Sequence, residues 1–148
     1  LNALIVKRAV IEEDEFQQNH RRALNLGHTV GHAIEALSKY RIPHGQAISL
    51  GMMVVNELSF RNGYMKDKTK TTLNNLISSL IDEEVKDCFE TLSVDTILTL
   101  LKKDKKAVGS SIHFTLITEI GDMIFYKKEM NQVLKNELAS IIKTLFGN

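Results

Sequence analysis

Three histidines lie close together in the sequence, at positions 28, 32 and 44. His28 and His32 are four residues apart, a spacing that on a helix projects both imidazoles from the same face. Pro43 then interrupts the pattern, and His44-Gly45 opens a second apolar segment. A helix, a short turn and a second helix could therefore bring His44 back towards the pair. Two or three converging imidazoles can hold Zn²⁺ or transfer protons.

A simpler interpretation is that His28 and His32 are partly buried helix residues with ordinary hydrogen bonds. The HExxH motif is absent because position 29 is threonine, and two histidines at this spacing are a weak metal signal alone. Gly27 and Gly31 repeat the four-residue spacing, which would let another backbone or a ligand come close. A third metal ligand could be His44, and a fourth a carboxylate or water.

Other polar residues flank the histidines. Arg21 and Asn25 precede them by one and two helical turns on roughly the same face, so Arg21 could bind a carboxylate or phosphate and Asn25 a hydroxyl. A surface arginine and a helix-start asparagine explain them equally well. Glu35 could orient an imidazole or be a surface carboxylate. Three lysines fit solvated side chains: Lys7, Lys105 and Lys106. Anion binding is the alternative for Lys105 and Lys106.

Composition indicates a soluble globular domain. The 148 residues are 43% hydrophobic and 25% charged, which is typical of such chains. A net charge of +1 provides no field to recruit nucleic acid or an anionic membrane surface. The single cysteine, Cys88, cannot form an internal disulfide. Because the chain begins with leucine already in helical periodicity, we expect it to be part of a longer polypeptide.

The apolar periodicity predicts a mainly α fold, a multihelical array with one small β-hairpin. The most apolar helix begins at His44-Gly45, ends at Asn62-Gly63 and should be central and buried. Asp67 and Ser93 are predicted N-caps. The other helices are predicted over about residues 1–12, 22–39, 67–81, 82–92, 93–101 and 129–146, and the two strands over about 112–116 and 123–126. GxGxxG and GxxxxGK[ST] motifs are absent, so a nucleotide-binding domain would lie outside this chain.

Three segments closely resemble the C-terminal domain of 3-dehydroquinate synthase. They are RxxLNLGHTVGHAIE from Arg21, HGQAISLGM from His44, and DKKAVG from Asp104 with a strand and an Ile-Gly turn after it. The resemblance runs along nearly the whole chain and is most specific over residues 21–52. Since related sugar-phosphate cyclases share this plan, the resemblance identifies the family rather than the substrate.

The resemblance implies a two-domain enzyme, with residues 1–148 as the C-terminal helical domain and an NAD-binding domain before it. The active site lies between the domains. Such an enzyme is a phosphate-eliminating lyase of the shikimate pathway that converts 3-deoxy-D-arabino-heptulosonate 7-phosphate to 3-dehydroquinate. NAD oxidises a substrate alcohol transiently, and Zn²⁺, or Co²⁺ in some members, polarises the substrate oxygens. For the full-length protein we expect a cytoplasmic homodimer.

The resemblance also assigns roles to residues. His28 and His44 match the histidine metal ligands, and the third ligand, a glutamate, belongs to a motif upstream of Leu1. His32 matches a proton-transfer histidine. The positions that contact the sugar phosphate are Arg21, Asn25, Lys7 and either Lys105 or Lys106.

One stretch departs from the family pattern DExExGxR. Here residues 14–21 are DEFQQNHR, so Gln17 replaces a glutamate that is a proton-transfer candidate, and Asn19 replaces the glycine. Glutamine cannot exchange a proton at neutral pH. Three explanations remain open: His32 and the substrate's phosphate suffice, the activity is weakened, or Glu15 serves instead.

Two other functions stay open at this point. A related cyclase, similar to 2-deoxy-scyllo-inosose synthase, would act on glucose 6-phosphate or on a seven-carbon sugar phosphate. A non-catalytic helical module with structural or vestigial histidines would belong to a different class, and Gln17 slightly favours it.

The isolated chain is predicted to be inactive. It lacks the site for the hydride carrier and the upstream glutamate, so incubation with substrate, NAD and Zn²⁺ should yield no dehydroquinate. Measurable dehydroquinate in this turnover assay would contradict the prediction.

Overall fold

The computed structural model describes residues 20–103 and 111–147. The predicted helix over 1–12 and the predictions for Lys7, Gln17, Lys105 and Lys106 lie outside these ranges. Within these ranges the chain forms seven helices and two strands, in the order α1 (His20–Ala23), α2 (His28–Leu37), α3 (His44–Arg61), α4 (Asp67–Ser78), α5 (Glu83–Glu90), α6 (Val94–Lys103), β1 (Ser111–Glu119), β2 (Asp122–Glu129) and α7 (Gln132–Phe146). Among the described helices, none has the length and apolarity needed to span a bilayer. The predicted multihelical array with one hairpin is confirmed.

Helix α3 is the centre of the domain, as its nearly continuous apolar sequence predicts. Leu50, Val54 and Leu58 are fully buried, and the helix packs against α2, α4, β1 and α7. It begins at His44 directly after Pro43, and Asn62 and Gly63 end it as predicted. Because neighbours surround this helix, it forms the fixed frame on which the rest of the domain is assembled.

Three glycines bring α2 and α3 into backbone contact. A Cβ added at Gly27 would lie 2.7 Å from the Ile48 carbonyl oxygen, and one at Gly31 would lie 2.9 Å from the Ala47 carbonyl oxygen. A Cβ at Gly51 would fall against the Gly27 carbonyl oxygen and lie 2.8 Å from the Gly31 nitrogen. The matched spacing of Gly27 and Gly31 therefore serves the approach of a backbone, one of the two alternatives that the sequence left open.

The hairpin closes one side of the helical array. Strand β1 pairs antiparallel with β2, and Phe114 lies opposite Tyr126. Ile112, Phe114 and Leu116 are buried, so the predicted two-residue alternation is confirmed. The strands connect through Ile120 and Gly121, and Gly121 adopts a φ of 92° that suits glycine.

An ion-pair cluster around the buried Glu57 stabilises the far end of α3. Glu57 lies 2.9 Å from Arg61 Nε and 3.2 Å from Lys70 Nζ, and Asp67 lies 3.0 Å from the same lysine. Burial alone lowers the pKa of Lys70, but hydrogen bonds and charges from Asp67 and Glu57 outweigh it and raise that pKa above 10.5. The cluster ties α4 to α3 without unpaired charge on these side chains.

Several predicted details are wrong. The helix expected over 22–39 is interrupted at residues 24–27, because Gly27 adopts a left-handed φ of 73° where α3 approaches. Asp67 is not an N-cap: Lys66 holds that position and Asp67 is the first helical residue. Val133, expected on the apolar face of α7, is 67% exposed; that helix starts later than predicted because the Asn131 side chain caps it at the Leu134 N–H.

Replacing Gly51 with alanine should destabilise the protein by about 2 kcal/mol or more, because the methyl group has no room between two backbones. The melting temperature should fall by roughly 4–8 °C. Gly45→Ala is the matched control on the same helix, where an added Cβ meets nothing within 4 Å; it should be neutral or slightly stabilising, as helix propensity predicts. Equal melting temperatures for the two variants would refute the close-packing argument.

Candidate metal centre

The three histidines singled out from the sequence form one cluster. The ring centroids of His28 and His32 are 5.3 Å apart, and each lies 5.7 Å from the His44 centroid. One ring nitrogen from each residue lies within 4.8 Å of the other two. His28 is half-buried, whereas His32 and His44 are exposed. The cluster therefore presents imidazole nitrogens to an open cleft.

The turn before α2 places the first two imidazoles. The His28 N–H donates to the Asn25 carbonyl at 3.0 Å, and the left-handed Gly27 starts the new helix at His28. The Gly31 N–H then donates to the Gly27 carbonyl at 2.8 Å. His28 thus occupies the first position of α2, and His32 follows it one turn later on the same face.

A tight corner over residues 38–43 returns the chain to the third imidazole. Lys39 and Tyr40 both adopt left-handed backbone conformations, with φ of 53° and 61°, which are strained for residues other than glycine. The buried Ser38 hydroxyl donates to the Glu35 carbonyl at 2.9 Å and accepts from the Ile42 N–H at 3.2 Å. Since Ile42 is fully buried, the corner is anchored at both ends and fixes where α3 begins.

Two of the rings are oriented by acceptors. His28 Nδ1 lies 3.0 Å from the Leu26 carbonyl oxygen, and His44 Nδ1 lies 3.1 Å from Glu35 Oε2. A carbonyl and a carboxylate can only accept, so Nδ1 carries the hydrogen in both rings. In the neutral form of each ring, Nε2 then keeps its lone pair for a ligand. This pattern is the one in which histidines bind divalent transition metals, so the donor set fits Zn²⁺ or Co²⁺.

A cavity of about 530 Å³ adjoins the cluster. Its charged side chains are the cations Arg22 and Lys127, and none of its described lining residues is a carboxylate. The walls come from α1, the turn, α2, α6 and the hairpin: Arg22, Asn25, His28, Thr29, His32, Leu101, His113, Phe114, Thr115, Phe125, Tyr126 and Lys127. A cavity of this charge favours an anionic ligand.

Two hydrogen bonds join the hairpin to the helical array, one to α2 and one to α1. The Thr29 hydroxyl donates to the His113 carbonyl at 3.1 Å, and the Thr115 hydroxyl donates to the Arg22 carbonyl at 3.0 Å. The Arg22 guanidinium lies over the Phe125 ring, 5.6 Å from its centroid. These contacts set the width of the cavity, since they hold its two walls together.

The outcome for the other predicted site residues is mixed. Asn25 lines the cavity beside His28 and His32. Arg21 lies in α1, and the prediction that its side chain binds substrate concerns a side chain outside those that the structure describes. Glu35 contacts an imidazole, as the interpretation that it orients one requires, and the ring is that of His44. Lys7, Lys105 and Lys106 lie outside the described residues.

Sequence reasoning missed the contribution of the hairpin. His113 and Lys127 lie directly opposite each other across the two strands, and both line the cavity. The alternation of β1 already placed His113 on the non-core face, which was the available signal. What the sequence did not show was the docking of that face against α1 and α2.

Comparison with known proteins places these features in a family. Residues 2–107 match the family model described as 3-dehydroquinate synthase C-terminal. The 3-dehydroquinate synthase of Thermoanaerobacter pseudethanolicus is 33% identical over 139 residues, which are 93% of this chain and 37% of that protein. The 3-dehydroquinate synthase of Dictyoglomus turgidum is 34% identical over 120 residues, 80% of this chain and 33% of that protein. The chain thus spans about a third of the length of these curated relatives.

The fold also has solved counterparts. A 2-deoxy-scyllo-inosose synthase complexed with carbaglucose-6-phosphate, NAD⁺ and Co²⁺ superposes with a TM-score of 0.73 at 20% identity, over 97% of this chain and 39% of that one. A second structure of 2-deoxy-scyllo-inosose synthase gives a TM-score of 0.68 over 90% of this chain. At this identity the likeness shows a shared fold.

Proposed function

Because the chain belongs to the 3-dehydroquinate synthase C-terminal family, we propose that it is the metal- and substrate-binding half of a 3-dehydroquinate synthase. The proposed reaction converts 3-deoxy-D-arabino-heptulosonate 7-phosphate to 3-dehydroquinate with release of phosphate. The observation that carries the proposal is the cluster of three imidazoles beside a cationic cavity. The chain spans 37% of its Thermoanaerobacter relative, which supports an additional domain, and the NAD⁺ bound in a solved neighbour supports NAD as the ligand of that domain.

In this proposal His28 and His44 hold the metal. Both rings have Nδ1 engaged and Nε2 available, and they come from two different helices whose spacing is set by backbone contact. A bound Zn²⁺ or Co²⁺ supplies Lewis-acid polarisation of the substrate's oxygens. The remaining protein ligand, a glutamate, would come from the part of the protein before Leu1.

The other residues of the site bind the substrate and move protons. His32 is exposed at the edge of the cavity, where its imidazole can accept a proton from a substrate hydroxyl and return it. Asn25 can accept from or donate to a hydroxyl of the sugar acid. Arg22 and Lys127 attract the phosphate and carboxylate groups, which together make this substrate a polyanion.

A related cyclase that acts on glucose 6-phosphate is the second candidate. The solved neighbour with a bound sugar phosphate analogue shares the fold, which supports this alternative as far as fold goes. The two cations of the cavity, Arg22 and Lys127, favour the heptulosonate, because it carries a carboxylate in addition to its phosphate. Assaying the full-length protein with both sugar phosphates separates the candidates, and turnover of glucose 6-phosphate alone would reject ours.

The full-length protein should bind one Zn²⁺ or Co²⁺ per chain through the cluster. His28→Ala or His44→Ala should weaken the affinity by more than about 100-fold, since each removes a ligand. His113→Ala is the control: it removes a cavity histidine outside the cluster and should change the affinity less than about twofold. Competition with a chromophoric chelator measures these constants. Absence of stoichiometric binding, or binding indifferent to His28→Ala, would favour a non-catalytic helical module.

Lys127→Gln should reduce kcat/KM of the full-length enzyme by about tenfold. The substitution removes a cation that faces the anionic substrate, and a hydrogen bond to a charged group contributes about 1.5 kcal/mol. Lys68→Gln, which removes an exposed lysine of α4, is the matched control and should leave kcat/KM unchanged. If both variants behave alike in a phosphate-release assay, the cavity is not the substrate site.

A further inference from the structure

We infer that Glu35 is a positioning residue for His44: in the neutral imidazole it holds the hydrogen on Nδ1 and so leaves the lone pair on Nε2. The part of this inference that concerns metal affinity rests on the proposed function. The part that concerns the tautomer depends only on the contact between the two side chains.

The contact joins residues nine positions apart across the corner between α2 and α3. Glu35 Oε2 lies 3.1 Å from His44 Nδ1, and the glutamate side chain is 18% exposed while the histidine side chain is 54% exposed. A carboxylate has no hydrogen to donate, so it selects one of the two neutral tautomers. The less exposed Glu35 carboxylate therefore determines which ring nitrogen of the neutral His44 carries the hydrogen.

His44 needs this support more than His28 does. The acceptor for His28 Nδ1 is the backbone carbonyl of Leu26 at 3.0 Å, which no side-chain substitution removes. His44 begins α3 and its side chain is 54% exposed, so little packing restrains its ring. A backbone carbonyl thus sets the tautomer of His28, whereas the Glu35 side chain sets that of His44. Only the second acceptor can be removed by substitution.

The backbone of Glu35 is held separately from its carboxylate. Its carbonyl accepts from the Ser38 hydroxyl at 2.9 Å and from the Tyr40 N–H at 3.0 Å. Neither bond uses the side chain, so substitution of Glu35 leaves the corner and the start of α3 in place. A change at His44 in such a variant therefore reports loss of orientation rather than loss of fold.

Long-range ¹H–¹⁵N correlation spectra of the histidine rings test the tautomer directly, under alkaline conditions in which imidazoles are neutral. In the unsubstituted protein both His28 and His44 should show hydrogen on Nδ1. In Glu35→Ala and Glu35→Gln, His44 should become a mixture or shift to Nε2–H, because an amide can donate as well as accept. His28 should be unchanged in every variant and serves as the internal control.

The choice of variants separates orientation from packing. Glu35→Gln keeps the size of the side chain, so a purely packing role predicts that it behaves like the unsubstituted protein. Glu84→Ala, at an exposed glutamate of α5, controls for loss of a negative charge elsewhere. Melting temperatures of all variants confirm that each is folded before its spectrum is compared.

Zn²⁺ titration of the full-length protein tests the consequence. Glu35→Ala and Glu35→Gln should weaken Zn²⁺ binding by about 10–100-fold, with Glu84→Ala unchanged. Hydrogen on His44 Nε2 in the unsubstituted protein, or on Nδ1 in both Glu35 variants, overturns the inference. A tautomer change with unaltered Zn²⁺ affinity overturns the positioning role. If the unsubstituted protein binds no Zn²⁺, the proposed function fails, while the spectra still decide the contact.

Discussion

The backbone contact between α2 and α3 is the constraint on which the site depends. Gly27, Gly31 and Gly51 leave no space for a side chain between the two helices, so the distance from His28 to His44 is set by main-chain atoms rather than by adjustable side chains. Glycine inside a helix costs about 1 kcal/mol relative to alanine. Burial of α3 on nearly all sides offsets that cost. As a result, the imidazoles of His28 and His44 lie on two helices that are held at a fixed separation.

The corner between α2 and α3 also helps to fix the position of His44 relative to His28. Two consecutive left-handed residues, Lys39 and Tyr40, turn the chain within a few positions, and the buried Ser38 hydroxyl bonds both sides of the turn. The strain is local, and the buried Ile42 side chain holds it in place. The Glu35–His44 contact spans this corner, so backbone geometry and ring orientation are coupled over nine residues.

The hairpin adds charge to a site whose helices contribute mostly neutral donors. Histidine and asparagine side chains from α2 and the turn before it face one wall of the cavity, and the hairpin supplies Lys127 on the other wall. Hydroxyl–carbonyl bonds from Thr29 and Thr115 fix that wall. The clustered imidazoles and the Lys127 cation thus come from different elements.

Local patterns in the sequence were sufficient for the class of fold, for burial of α3 and for the convergence of His28, His32 and His44. These features depend on helical period, on Pro43 and on glycine spacing, all of which act over a few residues. The break at 24–27 and the exposure of Val133 depended on what packs nearby, and periodicity does not report neighbours. The same holds for Lys127 and for the ring that Glu35 contacts. Only the tertiary structure decided these four features, because docking of the hairpin and closure of the corner bring together groups that are distant in the sequence.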